Sequence, residues 1–590
     1  MTARWGWFLF IPLMVSLVLT VGTQFIFIEK SFFRELGLGQ TGAAVGFANY
    51  AAALQNPLYF NSIVTTLRVS ALATIGCLLL GYPLAYVIAR SGGRWATVML
   101  SGVLLTSLVS APIKVLGLII IFSKEGALNR FLTGSGILDA PVNILGNEAG
   151  VVVGLIYYSL AFAVLLLYSI ICTIPVVLED AAAINGASRI RTFLRVVIPL
   201  TFPGICAVGL TIFSLSMGAF AAAALMGGGR VLTLPVLIYQ TIFLDTKYAT
   251  ASTLSAILLV MVLLVNGAAG LLISALNTKF FRKSFNLSSA SLDGILDLIA
   301  NFRAAASRPL ASVARFMGRA LSVVWIGATY ILIFAPLLVV VFASFNGGSF
   351  RAGAVVFPPR HLSFDWYLAT PYSHVHAFGV SLVLAFIATT LACLIAIPAG
   401  LGLVRSRVPG REAIAALFRV PLQIPVVIIG LSFFYTCYAV DDAAGTSLAG
   451  SFIALVIAHF FVLAPFVIGS VTVILQRFDG RLEEAASSLG ANRWRTFRRV
   501  TLPVIGPGLF AGAVYAFMVS FGDVPISLFL AGPEITPFPV AIFHSMEMDF
   551  DTRVLSSSTM AMAFGLVMLV LVQKLIGLDS FARSQAGARG

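Results

Sequence analysis

Charged side chains are scarce: Asp, Glu, Lys and Arg make up 10% of 590 residues, too few to coat a water-soluble protein of this length. Acids are the scarcer sign, 23 against 37 Lys and Arg, which leaves a formal net charge of +14. Cysteine occurs five times, at Cys77, Cys172, Cys206, Cys393 and Cys437, an odd and scattered set with no disulfide framework and no zinc spacing. Histidine is as rare. His374 and His376 stand two apart, but no Cys or carboxylate accompanies them at ligand spacing, so no metal site is expected. No G-x-x-x-x-G-K-[ST] loop is present, so nothing in the chain is expected to hydrolyse ATP.

Apolar residues are what the chain has in excess. With 59% hydrophobic residues and a mean hydropathy of +1.01, it cannot hide its apolar surface around one aqueous core, and lipid must cover the rest. Stretches of roughly 20 apolar residues can each cross a hydrocarbon layer of about 30 Å as helix, with every backbone hydrogen bond closed internally. Twelve are expected. They run over about 5–28, 62–89, 96–122, 150–172, 202–226 and 249–276, then 320–344, 376–404, 412–436, 451–475, 506–530 and 553–577. The fold class is therefore an all-α polytopic membrane protein. The first stretch lacks a small-residue cleavage site behind it and reads as a retained anchor.

Two polar segments interrupt the apolar runs: LEDAAAINGASRIRTFLRVVIPLTFPG from Leu178 to Gly204, and LEEAASSLGANRWRTFRRVTLPVIGPG from Leu482 to Gly508. Both 482 − 178 and 508 − 204 give 304, so the chain carries an internal duplication. The division is 1–276, a linker at 277–319, and 320–590. Six spans per half make the repeats parallel, related by an axis along the membrane normal. With a cytoplasmic N-terminus most Lys and Arg fall inside, among them Arg90, Arg189, Arg405 and Arg495, as the positive-inside rule requires. The net charge then needs no nucleic acid. Both termini and both polar segments face the cytoplasm in this reading. In the linker, Leu292, Ile295, Leu296 and Ile299 share one helical face, as an interfacial helix would.

In the second copy, Leu482 to Leu489 favours a short helix, Gly490 can end it in the left-handed conformation, and Asn492 to Val500 opens a second helix that Pro503 helps to stop. Ala485 and Ala486 remove bulk where a partner's groove would press, and Glu483 and Glu484 offer carboxylates to it. A basic loop with a helical hairpin is the plain alternative for one copy; two copies at a constant offset point to a two-fold partner.

Here the chain resembles the membrane permeases of bacterial ATP-binding cassette importers of the type I class. Their signature is a cytoplasmic Glu-Ala-Ala segment followed by Gly, with Leu-Pro or Ile-Pro downstream. Glu484, Ala485, Ala486, Gly490, Leu502 and Pro503 match it in the second half; Asp180, Ala181, Ala182, Gly186, Ile198 and Pro199 match it in the first, with Asp for Glu and with Glu179 beside it to share the contact. The likeness covers about Asn61 to Leu276 and Phe378 to Gly577, and includes GYPLAYVIAR (81–90) against AIPAGLGLVR (396–405) and the alignment of Pro235 with Pro539. It implies two six-helix, MetI-like permease subunits fused into one chain, a departure from the usual separate polypeptides.

The resemblance also implies partners and a place. A homodimeric or paired cytoplasmic cassette ATPase, carrying ATP and Mg, would grip both elements, and a periplasmic binding protein would deliver cargo; the chain itself would bind no cofactor. The place is the bacterial inner membrane. PVNILGNEAGVVVGLIYYSLAF in the first half resembles the first permease of spermidine/putrescine importers, and SFNGG with DWYLATP in the second resembles its partner. A polyamine or related amine is the expected cargo, with ferric iron, thiamine, opines or aminophosphonates as alternatives within the class. An ion-coupled secondary transporter is the alternative outside it.

Asp523, in SFGDVPISLF, is the leading acid inside a span, and its counterpart at the 304 offset is Ala219. Such a group faces a cavity or a partner. It is either a substrate contact, with Pro525 loosening the helix beside it, or a structural partner of Arg68, Lys114 or Arg419.

Overall fold

The computed structural model describes residues 6–277, 308–347, 357–359, 361–547, 551–572 and 574. Among the described residues eleven helices are long and apolar enough to cross a membrane, twelve if the bent pair is counted as one span. The chain is an all-α polytopic membrane protein, as expected. Six of the helices that set the site are Pro57–Arg90, Glu148–Cys172 and Arg189–Met217 in the first half and Tyr372–Arg405, Phe452–Gln476 and Arg493–Phe521 in the second. Small residues let them approach closely: Ala385, Ala388, Ala392, Ala396 and Ala399 are all fully buried along one helix. The expected interfacial helix at 292–299 lies outside the described residues.

Several expected spans are corrected, because hydropathy does not register a break inside an apolar run. The stretch 96–122 is Gly93–Leu108 followed by Ala111–Phe122, bent by 100° where Val109 and Ser110 are extended and Pro112 opens the next helix. The stretch 412–436 is likewise split: Arg411–Arg419, a 3₁₀ turn Val420–Leu422, then Val426–Ala444 beyond Pro425. The stretches 202–226 and 506–530 stop at Met217 and Phe521, and short helices Ala221–Gly227 and Pro525–Leu530 come next. Pro525 therefore starts a helix instead of loosening one.

At their other ends these same spans reach back further than expected. Pro199 and Pro503 do not stop the helices that start at Arg189 and Arg493. Each lies just beyond a π-helical turn, Phe193–Val197 or Phe497–Thr501, and the chain continues as one span. A wide turn there accommodates the missing N–H and the clash of the proline ring with the preceding turn.

The halves interlock through their first helices. Leu9 packs with Ala392, Ala396 and Leu401 of the second half, and Gln24 Nε2 donates to Ser432 Oγ at 3.0 Å. Reciprocally, Ile333 joins Leu160, Val164 and Leu167 of the first half, and Tyr157 Oη donates to the Ile333 carbonyl at 3.2 Å. A two-stranded hairpin, Phe33–Gly37 with Gln40–Ala44, comes after the first helix; its Gly37 and Gly39 take φ of +84° and +77°. The Gly-rich sequence gives no alternating pattern from which to expect it.

Candidate functional site

The duplicated polar segments fold alike. Val177–Ile184 and Arg481–Ser488 are short helices with no buried residue, and each carries two acids in its first turn, where the helix dipole favours them. Gly186 and Gly490 then turn the chain with φ of +80° and +79°. Ser188 and Asn492 cap the helices that begin at Arg189 and Arg493 by accepting from the N–H of Arg191 and Arg495. The second helix of each element is the beginning of a spanning helix, so each element is a rigid elbow at the end of a span.

One carboxylate of each pair is turned inward. Glu179 accepts from Arg90 Nε at 2.6 Å and from Tyr86 Oη at 2.8 Å, and Glu483 accepts from Arg405 Nη2 at 2.8 Å and from the Thr501 hydroxyl. These two acids, expected to face a partner, instead hold each elbow to the last turn of the Pro57–Arg90 or Tyr372–Arg405 helix. The signal for this lay in the paired segments 81–90 and 396–405, which both end in Arg.

The outward face is left to Asp180 and Glu484, to exposed Ala181 and Ala485, and to half-buried Ala182 and Ala486. Sequence reasoning missed the apolar tips beside them. Ile184 is 86% exposed and Leu489 88%, and Ile190 and Trp494, 304 residues apart (494 − 190), are also exposed. A carboxylate flanked by small residues and an apolar knob can seat in a groove that has a basic edge.

Deep in the apolar interior, Asp523 sits between two helices and accepts the Ser527 N–H, in the first turn of the second, at 3.0 Å. Its side chain is 10% exposed, and His459 Nε2 stands 3.8 Å from it. His459 is 2% exposed and bridges Ser520 Oγ at 2.8 Å and Ser527 Oγ at 3.1 Å. Among the described residues Asp523 forms no ion pair with Arg68, Lys114 or Arg419; Arg68 instead pairs with Glu148. At the 304 offset His459, Asp523 and Ser527 correspond to Leu155, Ala219 and Ala223, so the network belongs to one half alone.

The breaks in the spans meet across the two halves. A Cβ placed on Gly522 would lie 3.6 Å from Ser110 Cα, and one on Gly218 would lie 3.0 Å from Pro425 Cβ. Gly218 and Gly522 are again 304 apart (522 − 218). Around them the apolar helices Leu234–Phe243 and Phe538–Glu547 share an aromatic contact, with Phe543 packed against Phe220 and Tyr239.

Among the described residues no group of three or more His, Cys, Asp or Glu could hold a metal ion. His374 is occupied by Ser557 and Ser545 at 2.9 and 3.0 Å.

The family described as "Binding-protein-dependent transport system inner membrane component" matches the chain twice, over residues 81–280 and 393–577. The spermidine/putrescine transport system permease protein PotB of Escherichia coli (strain K12) is 33% identical over 272 residues, covering 45% of this chain and 95% of that protein. PotB of Haemophilus influenzae is 33% identical over 260 residues, 44% of this chain and 88% of that protein. The putrescine transport system permease protein PotI of E. coli (strain K12) is 30% identical over 242 residues, 40% of this chain and 84% of its own length. Most of a relative thus fits within less than half of this chain, and the family match recurs on both sides of the join.

Proposed function

The chain belongs to the binding-protein-dependent transport system inner membrane components, as two fused permease repeats of an ATP-binding cassette importer, and on that premise we propose how it works and what it carries. A paired cytoplasmic cassette ATPase, holding ATP and Mg, grips the elbows at 177–186 and 481–490. Asp180 and Glu484 meet basic groups of that partner, Ala181, Ala182, Ala485 and Ala486 admit its groove walls, and Gly186 and Gly490 set the turn. Closure of the ATPase pair pulls on the elbows. Because Glu179 and Glu483 clasp the ends of neighbouring helices, that pull reaches two spans in each half, and the halves part where Gly218 and Gly522 touch the opposing breaks.

The two-fold-related clasp, Arg90 with Glu179 and Arg405 with Glu483, carries this reading. It makes each elbow stiff enough to transmit force. The division 1–276, 277–319 and 320–590, a bacterial inner-membrane location with both termini cytoplasmic, and delivery of cargo by a periplasmic binding protein complete the proposal. The cargo is a small amine-bearing solute, a polyamine or a related compound, with Asp523 on its path beside the helix opened by Pro525.

Proteoliposomes containing the chain, its ATPase and its binding protein test this with radiolabelled putrescine, spermidine and short amino acids. At least one should enter in an ATP-dependent manner, and Gly490→Pro should abolish that entry with membrane insertion unchanged. Uptake driven by an ion gradient without the ATPase would overturn the reading.

A further inference from the structure

Lys114 is an unmatched cation in the apolar interior. It is 5% exposed, and the ring of Tyr158, 5.8 Å from Nζ to centroid, is its neighbour. Among the described residues no carboxylate stands within ion-pairing distance of it. The fold does not need a cation at this position. Aligning Pro112 with Pro425 and Gly117 with Gly430 (425 − 112 and 430 − 117 both give 313) sets Lys114 against Val427, which is fully buried. A desolvated ammonium is disfavoured unless some group meets its charge, and a tyrosine face meets it only in part.

Lys114 and Asp523 approach the boundary between the halves from opposite sides. The Lys114 N–H donates to the Ser110 carbonyl at 3.1 Å, and Ser110 abuts Gly522, the residue before Asp523. A lysine from one half and an acid from the other thus stand on either side of the Ser110–Gly522 contact without pairing, and the opposite half has Val427 and Ala219 in their places.

We propose that Lys114 and Asp523 are the two poles of a cargo site that opens when Ser110 and Gly522 part, and that its ligand is a small zwitterion bearing an ammonium and a carboxylate or phosphonate. This rests on the importer reading and narrows its amine-bearing cargo to zwitterionic amines, setting polyamines aside. The ligand's ammonium takes the Asp523 carboxylate, which the Ser527 N–H holds in place at 3.0 Å, and its anionic group takes Lys114. A diamine of the same length would set an ammonium against Lys114, so the lysine also rejects it.

The test is equilibrium binding to the chain assembled with its ATPase in nanodiscs, nucleotide-free and vanadate-trapped. The probes are radiolabelled putrescine, 4-aminobutyrate and 3-aminopropylphosphonate, matched in length. Wild type should prefer a zwitterion to putrescine at least tenfold. Lys114→Met should lose that preference by tenfold or more and Lys114→Arg keep it, while Asp523→Asn should weaken every probe. Lys114→Met should also unfold at the same or a higher temperature, since it removes an unmatched buried charge. Putrescine bound as well as the zwitterions, no saturable binding of any probe, an unchanged ratio in Lys114→Met, or a large drop in its unfolding temperature would each overturn the assignment. ATP-driven uptake by wild type judges the importer reading separately.

Discussion

Arg405 closes on Glu483 at 2.8 Å, 78 residues away in sequence, and both side chains are largely shielded from solvent. The contact ties an elbow with no buried residue of its own to a helix that spans the apolar interior. Glu483→Gln keeps the shape and an acceptor oxygen but removes the charge that strengthens the bond from Arg405. A charge-assisted hydrogen bond of this kind is worth about 2 kcal/mol, which thermal unfolding of the purified complex would register. The larger expected effect is on coupling: ATP hydrolysis continues while cargo moved per ATP falls tenfold or more. An unchanged transport ratio would remove the clasp from the transmission path.

The second donor to each inward carboxylate comes from a different place in each half. Tyr86 supplies it in the first, where the residue equivalent to Thr501 is Val197; Thr501 supplies it in the second, where the residue equivalent to Tyr86 is Leu401 (405 − 90 and 401 − 86 both give 315). Thr501→Val should therefore cost about 1 kcal/mol. Adding Leu401→Tyr should restore most of it, and a double-mutant cycle measures the exchange. Additive losses would show that the tyrosine cannot reach Glu483 in the second half.

Duplication and hydropathy made the helix number, the parallel repeats and both elbows legible, because each depends on residue type at a fixed spacing. The breaks at Val109–Ser110 and Pro421–Pro425 were not legible, since an apolar run looks the same whether its helix is straight or folded back. Pro503 misled for a related reason: proline ends a helix in water, but a π turn ahead of it lets the helix continue, as it does ahead of Pro199 in the first half. Asp523 was found because one acid inside a span stands out. His459, its neighbour, gave no signal in the sequence because its partners Ser520 and Ser527 are 61 and 68 residues away.

Gly490 has φ of +79°, and a Cβ there would meet nothing within 4 Å. Its requirement is conformational and not steric. Gly490→Ala should cost about 1 kcal/mol in elbow stability, and Gly490→Asn less, because Asn tolerates the left-handed region. Hydrogen exchange of the amides at 485–495 would rank the variants, and uptake should keep the same order. Equal protection in all three would mean that the turn does not set the elbow.

Gly218 differs from its counterpart Gly522 in how tightly it is confined. Both have ordinary backbone angles, but a Cβ on Gly218 would meet Pro425 of the other half at 3.0 Å, while one on Gly522 would meet the Met518 carbonyl of its own half at 3.3 Å and Ser110 of the other half only at 3.6 Å. Gly218→Val should force the halves apart and raise cargo-independent ATP hydrolysis several-fold, whereas Gly522→Ala should stay near wild type. Equal effects of the two would contradict the close approach at Pro425.

The His459 network offers a test of polarity against packing, because the first half supplies an apolar version of the same place. His459→Leu alone leaves the Ser520 and Ser527 hydroxyls without their ring partner in a dry interior, at a cost of about 1–3 kcal/mol each where no other acceptor is found. Removing His459 together with Asp523 and Ser527 is a different matter, since a buried polar set can give way to well-packed apolar residues with little loss, and Ser520 stays as its counterpart Ser216 does in the first half. Asp523→Ala, His459→Leu and Ser527→Ala combined copy Ala219, Leu155 and Ala223 of the first half and should unfold at or above the temperature of His459→Leu. Transport should be lost in the triple variant even so. Restored folding with restored transport would reduce the network to scaffold, while lost transport in a well-folded protein would mark it as a functional group that the fold carries at its own expense.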